Sequence, residues 1–212
     1  APNEARVLAA AIQVALQTSG PQQARTYLDR ARQAGVGDQL DVLVSEARWA
    51  RAQPDSSEKA RVADALAERH ALQPLLLTGP GEEGLARKIA ERMRHRPIDI
   101  GGAEVSLELL KALVSRCTLF LTTDSGPRHI AVAFDLPTVV LMGPTDPRYS
   151  DLGHEKTLVL REEAPCSPCH LKACPTDHRC MRGIEPDRVL AAAEELLARY
   201  SKPTSFNIFS RS

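Results

Sequence analysis

In Leu121-Thr122-Thr123-Asp124-Ser125-Gly126-Pro127-Arg128-His129-Ile130 an apolar run stops at a carboxylate, turns through a glycine and enters a helix with proline in its first turn. A helix start of this kind turns its orphan N–H groups outward, and its dipole favours an anion. Gly126 lets a phosphate approach with no Cβ in the way. Asp124 repels phosphate, so its chemistry is acceptance of hydrogen bonds from sugar or ribose hydroxyls, whereas His129 can donate to a phosphate oxygen. The competing reading is that Asp124 or Ser125 caps the helix and His129 packs against a sheet.

A second chemical segment runs from Pro165 to Met181 and carries Cys166, Cys169, Cys174 and Cys180 with spacing C-x2-C-x4-C-x5-C. In a reducing compartment four thiolates, or three with His170 or His178, can close a tetrahedral structural zinc site. The alternatives are a loop of reduced or reversibly oxidised thiols, or a redox or iron–sulfur role. Cys117 stands apart and reads as a small buried apolar residue.

Two further loops end apolar runs. Gly79-Pro80-Gly81-Glu82-Glu83 offers carboxylates that cap the following helix or bind nucleoside hydroxyls, capping being the simpler reading. Gly143-Pro144-Thr145-Asp146-Pro147 is a rigid turn whose Gly143 backbone and Thr145 hydroxyl can face the same crevice as Asp124.

The elements that position these loops are set by periodicity. Residues 1–53 read as two or three helices, with apolar Val7, Leu8, Ile12 and Leu16 at helical spacing, and Trp49 is expected to pack that segment against the sheet domain. Ser56 or Ser57 starts a further helix. Apolar runs at 75–78, 118–123, 137–142 and 158–160 alternate with helical stretches at 82–93 and 128–134, and an amphipathic helix closes the domain over 185–200. Strands alternating with helices predict an α/β fold, a Rossmann-like parallel sheet over 54–200 with ligands at the strand C-termini, preceded by the helical segment and followed by a frayed tail at 201–212.

Composition narrows the ligand. The 212 residues hold 27 Lys+Arg against 27 Asp+Glu, so no basic surplus exists to displace counterions from nucleic acid. The first twenty residues lack the pattern of a secretory signal and no apolar run is long enough for a membrane span, from which a cytoplasmic protein is expected.

Thr123-Asp124-Ser125-Gly126-Pro127-Arg128-His129-Ile130-Ala131, followed by Val140-Leu141-Met142-Gly143-Pro144-Thr145-Asp146-Pro147, resembles the signature of glycosyltransferase family 9, the lipopolysaccharide heptosyltransferases. The resemblance runs from about residue 60 to residue 200. It implies the donor-binding C-terminal half of a GT-B enzyme that transfers heptose from ADP-heptose to a lipopolysaccharide core acceptor, inverting the anomeric centre with no metal required. By the same resemblance Asp124 binds donor sugar hydroxyls, Ser125, Gly126 and His129 the diphosphate, and Glu82 or Glu83 the nucleoside. The protein would work in the cytoplasm, peripheral at the inner membrane. The catalytic base is unassigned: it would come from an acceptor-side domain that residues 1–53 do not resemble, and nothing singles out Asp29, Asp38, Asp41 or Glu46 there. A fragment, a site completed by a partner, and a donor domain reused for binding alone remain open alternatives.

Overall fold

The computed structural model describes residues 57–79, 82–99, 105–150, 153–171 and 173–200. The helices read in 1–53, Trp49, the four acids named there and the tail at 201–212 lie outside them.

The order is α1 (Ser57–His70), β1 (Leu75–Leu76), α2 (Glu83–Ala90), β2 (Ile98–Asp99), α3 (Leu107–Val114), β3 (Phe120–Thr123), α4 (Gly126–Ala133), β4 (Thr138–Leu141), α5 (Pro147–Ser150), β5 (Thr157–Leu160), α6 (Arg179–Arg182) and α7 (Pro186–Tyr200). Every strand pairing is parallel. β1 pairs with β2, and β3, β4 and β5 form a three-stranded sheet in sequence order. This is the α/β arrangement that the alternating pattern predicts. Periodicity gives no sign of β2, which is only two residues long, or of α3, whose first turn is capped by the Ser106 side chain accepting from the Leu109 amide at 3.2 Å.

Strand ends are set by particular groups. The run at 118–123 becomes a strand only from Phe120, whose N–H donates to the carbonyl of Pro137 at 2.9 Å. Pro137 has no N–H to return, so the ladder begins there and continues from Thr138. The helix expected to reach residue 93 stops at Ala90. Beyond it Asp64, on α1, accepts the Arg94 and His95 amides at 3.0 and 2.9 Å and draws the chain into a turn.

The register aligns the strand ends: Thr123 lies opposite Leu141, and Leu141 opposite Leu160. The loop after each strand therefore emerges at one edge, and this is what places Asp124 and Gly143 at the same end of the sheet. Helices cover both faces. On one, Val189, Ala193, Leu196 and Leu197 of α7 pack with Val62, Ala63 and Leu66 of α1 over Leu119, Leu121, Val139 and Leu141. On the other, Val114, Cys117, Ala131 and Leu136 pack around Phe120 together with Leu75, Leu77 and Ile98, which ties the β1–β2 pair into the same core. Full burial of one such Leu contributes on the order of 1.5–3 kcal/mol, so the two layers rather than the short ladders carry the stability. Cys117 is buried, as expected, and its thiol donates to the Leu113 carbonyl at 3.1 Å.

Candidate functional site

The site is built on the C-terminal edge of the three-stranded sheet. β3 ends at Thr123, Asp124 comes next, and α4 begins at Gly126 with proline in its first turn. The capping alternative for this loop is not what the structure shows. Ser125 occupies the N-cap position in an extended conformation, but its side chain makes no cap hydrogen bond; its hydroxyl instead lies 3.5 Å from that of Thr122. His129 is exposed rather than packed on the sheet. A Cβ placed on Gly126 would meet nothing within 4 Å, so the approach to the helix start is open.

Asp124 is partly buried and pairs with Arg128, one helical turn on: the guanidinium Nη1 donates to Asp124 Oδ1 at 2.9 Å. Burial alone would raise the carboxyl's pKa. The neighbouring Thr145, Ser150 and Arg128 side chains, with the charge of Arg128, outweigh that and hold Asp124 below the usual carboxylate range. The Thr145 hydroxyl oxygen is itself buried and makes no hydrogen bond of regular geometry.

Asp124 and Thr145 line one cleft of about 290 Å³ together with Asp146, Tyr149, Ser150 and His170. The sequence singles out the first two and does not mark the other four as cleft residues. Asp146 is held ionised, its pKa lowered to about 2 by Arg148, whose guanidinium and backbone N–H both donate to it. Tyr149 is exposed, with its ring edge-to-face on His170 at a centroid distance of 5.5 Å. The one signal available in the sequence is that Tyr149 and Ser150 come directly after Asp146-Pro147-Arg148, in the turn expected to face the crevice.

Glu82 and Glu83 stand apart, after β1 of the other strand pair, and line no part of this cleft. Glu82 occupies the N-cap position of α2 without capping it: its carboxylate turns back to accept the Gly79 N–H at 3.1 Å, closing the loop on itself. Glu83 is exposed in the first turn of α2.

Gly143 has a role that its sequence context does not reveal. It is buried, and a Cβ there would stand 2.4 Å from Met181 Sδ and 2.9 Å from Cys180 Sγ. The glycine is what lets the end of the cysteine segment seat against the end of β4. The seat is reinforced by the Ser167 hydroxyl donating to the Gly143 carbonyl at 2.6 Å and by the His170 N–H donating to the Pro144 carbonyl at 2.7 Å. The cysteine segment is thereby a wall of the cleft, with His170, in a left-handed backbone conformation (φ 54°), at its rim.

The four cysteines of that segment are free thiols. Among the described residues no three Cys, His, Asp or Glu side chains gather into a metal-ligating set, so the donor set does not fit a closed tetrahedral site as it stands. The thiols differ in character. Cys174 accepts hydrogen bonds from the Thr176 side chain, the Thr176 backbone and the His178 amide, which together lower its pKa, whereas burial first, and then the other three cysteines, push Cys180 up.

A parallel α/β sheet with an open helix start and an ionised carboxylate at its C-terminal edge defines a Rossmann-type domain, with the Asp124 and Gly143 loops after consecutive strands. The chain belongs to glycosyltransferase family 9 (heptosyltransferase), which it matches over residues 9–179. The match begins well upstream of residue 60, so most of the segment 1–53 falls within the family as well. Among curated relatives, lipooligosaccharide heptosyltransferase 2 of Campylobacter jejuni is 30% identical over 159 residues, 72% of this chain and 47% of that protein. Lipopolysaccharide heptosyltransferase 3 of Escherichia coli is 34% identical over 115 residues, 53% of this chain and 34% of that protein. Among solved structures, a glycosyl transferase family 9 protein of Veillonella parvula superposes with a TM-score of 0.65 at 22% identity, over 84% of this chain and 52% of that one. E. coli ADP-heptose lps heptosyltransferase II gives 0.61 at 20%, over 81% and 50%. The fold is therefore shared with GT-B heptosyltransferases. The chain spans about half the length, or less, of the curated relatives it matches.

Proposed function

We propose that this chain is the donor-binding half of an inverting heptosyltransferase, holding ADP-heptose for transfer of heptose to a lipopolysaccharide core acceptor. The observation that carries the reading is the juxtaposition of an open, anion-competent start of α4 with the ionised Asp124 at the strand C-termini. In this reading the amides of Ser125 and Gly126 and the His129 ring hold the diphosphate, Asp124 accepts hydrogen bonds from the sugar hydroxyls with Thr145 and Gly143 shaping the wall behind it, and Glu82 or Glu83 serves the nucleoside. The acceptor hydroxyl attacks the anomeric carbon from the face opposite the diphosphate. The carbon–oxygen bond to the diphosphate breaks, ADP leaves with the electron pair, and the hydroxyl proton passes to a base. The contribution of this half is electrostatic, stabilising charge that builds on the departing diphosphate. Support comes from the E. coli heptosyltransferase WaaC, solved with ADP-2-deoxy-2-fluoro heptose, which shares the fold at a TM-score of 0.52 over 74% of this chain.

Calorimetric titration of the full chain with ADP and with ADP-heptose tests the reading. ADP-heptose should bind more tightly than ADP, and Asp124→Ala should abolish the difference. Binding of neither ligand would sink it. Acceptor-dependent release of ADP would defeat the alternative, a nucleotide-sugar-binding or scaffold module without catalysis. No helix among the described residues is long and apolar enough to cross a membrane; a cytoplasmic location peripheral to the inner membrane is part of the proposal. A structural zinc on Cys166, Cys169, Cys174 and Cys180 is a separate proposal. It requires the segment to draw its thiols together from their present positions, and metal analysis of the purified chain decides it: one equivalent of zinc supports it and none refutes it.

A further inference from the structure

Arg128 is almost completely buried, 1% exposed, in the first turn of α4. Stability does not call for a guanidinium there. Taking the charge out of water is unfavourable, the first turn is the positive end of the helix dipole, and an unbranched apolar side chain would fill the same space. Replacement of buried ion pairs by apolar side chains is often neutral or better for stability. What Arg128 does that an apolar residue would not is fix two separate pieces of the site. Its Nη1 donates to Asp124 Oδ1 at 2.9 Å and to Ser150 Oγ at 3.2 Å. Asp124 ends the strand loop before α4; Ser150 ends the α5 turn that forms the facing wall of the cleft.

We infer that Arg128 is the positioning residue of the donor-sugar subsite, clamping the Asp124 carboxylate and the α5 turn in the orientation that sugar hydroxyls require. The inference rests on Asp124 facing the sugar, as proposed above. A carboxylate on a flexible tether loses affinity for hydroxyl donors because it must be ordered on binding; held by the Nη1 of a buried, planar guanidinium that is also anchored to Ser150, it is ordered beforehand. The effect falls on the sugar alone, since the amides that face the diphosphate belong to the helix backbone.

The test compares ADP-heptose with ADP by calorimetry on the full chain, in wild type, Arg128→Met, Arg128→Lys and Ser150→Ala. The expected result is a loss of about tenfold or more in ADP-heptose affinity for Arg128→Met, ADP affinity within about twofold of wild type, partial recovery in Arg128→Lys, and a smaller, sugar-only loss in Ser150→Ala. Wild type that does not distinguish the two ligands overturns the reading of Asp124 and this inference with it. Wild type that does distinguish them, while Arg128→Met keeps the full difference or loses ADP and ADP-heptose equally, overturns the positioning role alone. Should Arg128→Met fail to fold, Arg128→Lys and Ser150→Ala decide: an undiminished preference for ADP-heptose in both refutes the clamp.

Discussion

Replacing Gly143 by alanine separates two roles for that glycine, access for a ligand and close packing of the cysteine segment. The new Cβ would stand 2.4 Å from Met181 Sδ, 2.8 Å from Met181 Cγ and 2.9 Å from Cys180 Sγ, against an optimal separation of about 3.5–4.0 Å between carbons. Neither sulfur can swing into solvent, because Met181 and Cys180 are both buried in the cluster under α7. Relief requires α6 to shift from the end of β4, straining the bonds that Ser167 and His170 make to the Gly143 and Pro144 carbonyls. Overpacking of this kind costs about 1–3 kcal/mol, offset by about 0.4–1 kcal/mol from the lower chain entropy of unfolded alanine. The net expectation is a destabilisation of about 1–2 kcal/mol, or roughly 2–8 °C in Tm. Thermal melts of Gly143→Ala and of Gly143→Ala/Met181→Ala measure it, and the double variant should lose about 1 kcal/mol less than the sum of the singles because the clash is gone. An unchanged Tm in Gly143→Ala, with donor affinity reduced tenfold or more, would show that the glycine serves ligand approach and would refute the packing argument.

Asp64→Asn should destabilise the fold by about 1–3 kcal/mol through weakened acceptance of the Arg94 and His95 amides. Burial opposes the Asp64 charge, but those amide bonds prevail and its pKa is lowered; the contribution is therefore present above the unfolded value and fades as pH falls below about 4. Urea titrations at several pH values should show wild type and variant converging in acid, and a constant gap would contradict this. Leu196→Ala, in the fully buried seam between α7 and α1, should cost about 2–5 kcal/mol; a loss below about 1 kcal/mol in denaturant titration would mean that α7 does not seal the core. Iodoacetamide at neutral pH should alkylate Cys174 well before Cys180, since the one thiol is favoured as thiolate and half-buried and the other is disfavoured and buried. Peptide mapping by mass spectrometry reads the order, and the reverse order would refute the assignment.

The sequence by itself determined what is local. An apolar run, Asp124, Gly126 and Pro127 in succession dictate strand, turn and helix start whatever surrounds them, because each residue acts on its own backbone. The alternation of such units implied the parallel sheet and hence the edge at which the Asp124 and Gly143 loops meet. Local patterns also mislead: Glu82 sits where a cap belongs, but its carboxylate closes the preceding loop, and the packing that requires Gly143 to be a glycine is invisible until its neighbours are known. Tertiary structure decided everything that depends on pairs distant in the chain. Ser150 meets Arg128, and His170 reaches the cleft only because the segment after β5 folds back onto Pro144. These contacts arise from parallel register and from side-chain volumes across the sheet edge, and neither is encoded by the spacing of residues along one strand or helix. The cleft is therefore legible in the sequence on the side that β3 and β4 present, and its other wall exists only in the fold.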